Sequence, residues 1–168
     1  MLATGVYHAI TLSKYHIASD PNLIAGALCF WNPIFNHFQF RFGPIGPIVI
    51  DICHILRLFS HGEDAHLYIV ESDSLPIKTD PKSLGYTNFM STHMGSLKEV
   101  SNSEFYYFLL YWLSKHLFCT SSQRVVLEFS NLTKAIAAGR RLALDAFVLG
   151  SLYMSFLELC YDPFLSNQ

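Results

Sequence analysis

Between His37 and Phe42 the chain alternates strictly, with Phe38, Phe40 and Phe42 on one face of an extended segment and His37, Gln39 and Arg41 on the other. Period-two alternation puts every second side chain on the same side of a pleated strand, so this stretch reads as a half-buried strand. Gly43-Pro44-Ile45-Gly46-Pro47 follows at once, which is dense turn chemistry. Ile48 to Ile50 is then expected as a short return strand, closing a small β-hairpin over about residues 37–50. Two strands alone are marginal in water. The rest of the chain must therefore supply the surface on which they pack.

That surface reads as helical. Residues 5–17 fit a first helix through Val6, Tyr7, Ile10 and Lys14. Ser19-Asp20-Pro21 is a start signal, with Asp20 as N-cap and Pro21 at the first helical position. The helix that follows, over 22–31, is almost wholly apolar and expected to be buried. Asp51 to Leu58 carries Ile52, Ile55, Leu56 and Phe59 at helical spacing. Residues 60–100, rich in Ser, Asp, Gly and Pro, read as an irregular segment with short elements. Ser101-Asn102-Ser103-Glu104 is a capping box, and Val100 with Phe105 forms a hydrophobic staple. The helix it opens runs to about Phe118. Two more helices are predicted over 124–138 and 140–161, with Gly139 as the break. The fold class is mainly α: a helical domain with one small β-hairpin.

Composition narrows the function classes. Of 168 residues, 51% are hydrophobic and only 14% are charged, against roughly 25% charged in an average soluble domain. Exposed apolar faces are expected, covered by a partner, by the rest of the domain, or by a membrane. Leu142 to Tyr161 has the length of a bilayer span, with Asp145 and Glu158 its only charges, but it also fits a buried helix of a large bundle, and a span is not expected. Net charge is −2, which gives no support for avid phosphate binding. Arg140 and Arg141 read as a solvated edge. Cys29, Cys53, Cys119 and Cys160 form no Cys-x-x-Cys pair and read as reduced core residues in a reducing compartment. Met1 to Ile10 lacks the pattern of a signal peptide.

No catalytic constellation is legible. His61-Gly-Glu63-Asp64-Ala-His66 is the densest metal-like cluster, yet it places no third ligand and reads as a polar loop. Cys53 and His54 are adjacent, and adjacent residues on a helix point about 100° apart. Nucleophile-elbow, phosphate-loop and dinucleotide-binding patterns are absent. Asp51 stands in an apolar run, Pro47 to Ile52, and its expected role is to favour a helix N-terminus. No cofactor, metal ligand or catalytic residue is assigned.

Three blocks, read together, resemble the plant mobile domain. The first runs from Gly5-Val-Tyr-His-Ala-Ile to Asp20-Pro-Asn-Leu-Ile. The second runs from Phe30-Trp31-Asn-Pro33 through Phe38-Gln-Phe40-Arg-Phe42-Gly43-Pro44 to Asp51-Ile-Cys-His-Ile55-Leu56-Arg-Leu58, and is the most specific. The third runs from Val100-Ser-Asn-Ser-Glu104 through Trp112 and Gly139 to Leu152-Tyr153. The resemblance names Trp31, Pro33, Phe38, Phe40, Gly43, Asp51, Glu104, Trp112 and Gly139 as signature positions. Two departures stand out: Ile48 sits where the family usually has a Thr N-cap, and Arg57 where it usually has Gly. Residues 1–168 are read as a single, partial copy of the domain.

The resemblance implies a non-catalytic interaction module of a transposon-derived or gene-silencing-linked plant nuclear protein, with nuclear protein partners. The family label "aminotransferase-like" implies little here, because none of the six lysines sits in a pyridoxal-phosphate setting. The alternatives are a hydrolase or transferase with an incomplete site, or a membrane-associated helical protein.

Overall fold

The computed structural model describes residues 5–70, 84–93, 95, 100–120 and 122–161. Among these, the α-helices are α1 (Val6–Leu12), α2 (Pro21–Leu28), α3 (Val49–Leu56), α4 (Leu67–Val70), α5 (Tyr86–His93), α6 (Asn102–Trp112), α7 (Ser130–Ala137) and α8 (Asp145–Tyr161), with a π-helical turn at Leu113–Leu117 and a 3-10 turn at Leu127–Phe129. The strands are β1 (Trp31–Asn32), β2 (His37–Phe40), β3 (Gly43–Ile45), β4 (Glu63–Asp64) and β5 (Leu142–Ala143). The fold is mainly α, as the sequence predicts. The helical core is built where α6 meets α5 and α7: Phe89, Leu109, Leu110, Leu113 and Leu132 have no exposed surface.

The β region is larger and earlier than expected. Three antiparallel strands lie in the order β1-β2-β3. Trp31, expected at the end of a helix, forms β1 and pairs with Phe38. The return strand is residues 43–45 rather than 48–50. Phe40 pairs with Gly43, so Arg41 and Phe42 alone make the turn, and Gly43 carries a φ of 136° that favours glycine. Ile48 is left to open α3.

The two departing positions, Ile48 and Arg57, sit at the two ends of α3. The Asp51 carboxylate (Oδ2) accepts the Ile48 backbone N–H at 2.9 Å. That is half of a capping box; the other half needs an oxygen on the N-cap side chain, which isoleucine lacks. At the far end Arg57 holds the left-handed conformation, φ 52° and ψ 38°, which costs a residue with a Cβ roughly 1 kcal/mol or more. Ile48→Thr is expected to stabilise the chain by about 1 kcal/mol, and Arg57→Gly by a similar, somewhat smaller amount, because glycine's extra unfolded-state freedom offsets part of the gain. The sites lie at opposite ends of the helix, so the gains add. Thermal unfolding checks this: the double variant should melt about 4–8 °C higher, and an unchanged midpoint contradicts the assignment of either cap.

Other ends follow their local chemistry. Asp20 Oδ1 accepts the N–H groups of Asn22 (3.0 Å) and Leu23 (3.2 Å), with Pro21 as the first helical residue. Gly139 ends α7 at φ 81°. Its N–H bonds the Ile136 carbonyl, and the Arg140 N–H bonds that of Ala135, both at 3.0 Å. These two bonds make a Schellman motif.

Four expectations are corrected. Helix α2 is not buried: it has no buried side chain and Leu23 is 71% exposed, because it touches α8 with only part of its surface. The cysteines are not core residues: Cys29 and Cys119 are exposed and Cys53 and Cys160 half-buried. The last helix starts at Asp145 rather than Arg140, because Leu142 and Ala143 pair in parallel with Glu63 and Asp64. The apolar stretch 142–161 is thus split between β5 and α8, and no described helix is long and apolar enough to cross a membrane. The Ser101 cap is only half a box. Its Oγ accepts the Glu104 N–H at 3.1 Å, but the Glu104 carboxylate turns away to the Gly95 N–H at 3.0 Å.

Long contacts close the molecule. The Trp112 indole N–H donates to Ser13 Oγ at 3.0 Å, across 99 residues. The Tyr153 hydroxyl donates to the Pro47 carbonyl at 2.6 Å, across 106.

Candidate interaction surface

The sheet carries one row of aromatic rings. Cross-strand pairing sets Trp31 opposite Phe38, and the pleat returns Phe40 to the same face. Trp31 packs against Phe38 (4.9 Å between centroids), Phe156 (4.7 Å) and Tyr153 (5.8 Å). Tyr153 and Phe156 lie three apart on α8 and share a face. They bury Trp31, which is 7% exposed and whose Nε1 has no hydrogen-bonding partner among the described residues. The row then continues outward. Phe40 packs tilted against Phe30 (5.1 Å, planes 35° apart) and stacks on Phe42 (5.4 Å, planes 10° apart). Phe30 is 49% exposed and Phe42 79%. One end of the row is therefore covered by α8 and the other is open.

The residues around the open end are apolar too. Ile45, paired with Phe38 across β3, is exposed. The turn after β1 lifts Ile34 and Phe35 into solvent, held by Asn32 Oδ1, which accepts the Ile34 N–H at 3.0 Å. Pro33 lies half-buried in that turn.

Of the signature positions, Trp31, Pro33, Phe38, Phe40 and Gly43 meet in this sheet, and Asp51 caps the helix that leaves it. Glu104, Trp112 and Gly139 serve other elements: a diverted cap, a core anchor and a helix stop. Tyr153 and Phe156 complete the row; Tyr153 ends the third resembling block, but neither is among the signature positions. Their i, i+3 spacing on an apolar helix is a signal, but nothing in it says that the face meets aromatic rings.

The titratable groups weighed for chemistry are dispersed. Glu63 accepts from the Tyr68 hydroxyl and pairs with Arg140 at 3.0 Å. The Tyr68 hydrogen bond, with help from Arg140, holds the Glu63 carboxyl below the usual range. Asp64 Oδ1 caps the His66 N–H at 2.9 Å, and His61 Nδ1 meets Ser60 Oγ at 2.9 Å. Arg141 lies over the Phe59 ring at 4.5 Å.

The family model of the plant mobile domain matches residues 5–163. The chain belongs to that family. No curated protein and no solved structure matches it.

Proposed function

We propose that this chain is a non-catalytic interaction module of a transposon-derived or silencing-linked plant nuclear protein, and that it docks a protein partner through the open end of the aromatic row. The observation that carries the reading is the Phe30–Phe40–Phe42 cluster, which is anchored on β2 through Phe40 yet leaves Phe42 79% exposed. Rigid aromatic side chains bury much area at low entropic cost, and for that reason they dominate protein interfaces. The net charge of −2 favours a protein partner over nucleic acid. The polar clusters around Glu63 and His61 are engaged in local hydrogen bonds.

Phe42→Asp tests this without touching the core, because Phe42 sits in an exposed turn. Pull-down from plant nuclear extract should recover a defined protein set with the unaltered chain. The variant should lose it while melting at the same temperature. Equal recovery by both rejects the surface.

A further inference from the structure

A second concavity lies between α5 and α6, on elements that take no part in the sheet. It encloses about 260 Å³ and is lined by Phe89, His93, Glu104, Phe105, Tyr107 and Phe108, among others. That volume is below the roughly 300–1,000 Å³ of sites for drug-sized ligands, so it suits one side chain. The rings are tightly set. His93 stacks on Tyr107 at 3.9 Å, and Phe89 stands at 4.5 Å from His93 and edge-on to Tyr107 at 5.9 Å.

One carboxylate joins these rings. Glu104 is drawn out of its capping role by the Gly95 N–H, which holds Oε1 at 3.0 Å. The only ion pair among the described residues is Arg140 with Glu63, so Glu104 has no cationic partner among them. Burial pushes the His93 imidazole down from its ordinary value, which favours its uncharged form.

We propose that this cavity takes a quaternary alkylammonium group, the trimethylated lysine side chain of a partner protein. Ring faces attract a cation through their quadrupole, and quaternary ammonium recognition uses such faces. Glu104 supplies the countercharge. The same lining disfavours an ordinary lysine. Its ammonium carries three donors that each need an acceptor, and the nearly apolar wall offers little beyond Glu104, one of whose oxygens is already engaged. A trimethylammonium group donates no hydrogen bonds and loses little hydration on entry.

The test titrates the intact chain with a short capped peptide carrying trimethyl-lysine, read by NMR shifts of the His93 and Tyr107 side chains. Controls are the unmethylated peptide, the peptide with a neutral tert-butyl isostere, and free tetramethylammonium. The trimethyl peptide should give saturable shifts, and each control should bind at least about tenfold more weakly. Glu104→Gln keeps an acceptor for the Gly95 N–H and should leave the melting temperature unchanged, yet weaken binding by about tenfold. Equal binding of the neutral isostere, or no saturable shift with the trimethyl peptide, overturns the proposal. Tetramethylammonium binding as tightly as the peptide overturns the assignment to a partner's lysine. Phe42→Asp should bind the peptide normally, so failure here and failure of the sheet surface are separate results.

Discussion

Trp112→Ala is expected to cost about 3–5 kcal/mol of folding stability, the range for removing a buried aromatic side chain. Trp112 is 2% exposed and ends α6, between the fully buried Leu110 and Leu113. Its indole N–H also fixes the end of α1 through Ser13. Trp112→Phe separates the two contributions. It keeps most of the apolar contact and deletes the hydrogen bond, and Ser13 Oγ retains its bond to the Ile10 carbonyl, so a loss of about 1–2 kcal/mol is expected. Against a total stability of about 5–15 kcal/mol, the alanine variant should stand close to unfolding. Urea denaturation at equilibrium measures both. An alanine variant losing no more than the phenylalanine one shows that the indole is not a core anchor.

The second large effect is at a residue that looks harmless. Gly62 is exposed, yet a Cβ there would collide with the Arg141 carbonyl oxygen and lie 2.7 Å from its carbon. Both atoms are backbone, and the Glu63 N–H bonds that same oxygen at 2.9 Å. Gly62→Ala can only be relieved by parting β4 from β5, at a cost of about 1–3 kcal/mol. A local readout accompanies the loss. As the strands part, Glu63 loses Arg140 and the geometry that brings it to Tyr68, and its carboxyl should rise toward its ordinary value of 4.5. Carboxyl titration by NMR follows this directly. Unchanged stability with an unchanged Glu63 titration rules out the close approach.

What could be read from the sequence was what neighbours along the chain decide. Asp20-Pro21, Ser101 and Gly139 carry their own hydrogen-bond or dihedral chemistry, and each sits at the expected helix end. The alternating phenylalanines gave a strand because the pleat is local. Features set by distant residues were not legible. The sequence of α2 is apolar, but its exposure depends on how α8 passes it. Leu142 and Ala143 read as helix until Glu63 and Asp64 arrive from far upstream to pair with them. Glu104 has the spacing of a capping box, and only the approach of Gly95 turns it elsewhere. For the candidate surface, the Phe38–Phe40 part could be named from sequence. The division into a covered and an open end could not, because Tyr153 and Phe156 decide it.

That division also has a consequence for how the molecule is born. The sheet is complete by Ile45, but Tyr153, whose hydroxyl bonds the Pro47 carbonyl, lies 106 residues beyond that proline. At about 5–20 residues per second, a nascent chain waits on the order of 5–20 s between making its aromatic strands and receiving the helix that shields them. Throughout that interval Trp31 lacks the cover of Tyr153 and Phe156, and Phe38 that of Phe156. A ribosome-bound chain halted before Tyr153 should therefore be held by chaperones that grip apolar segments and should be cut readily by protease. Release from both should come only once α8 has cleared the exit tunnel.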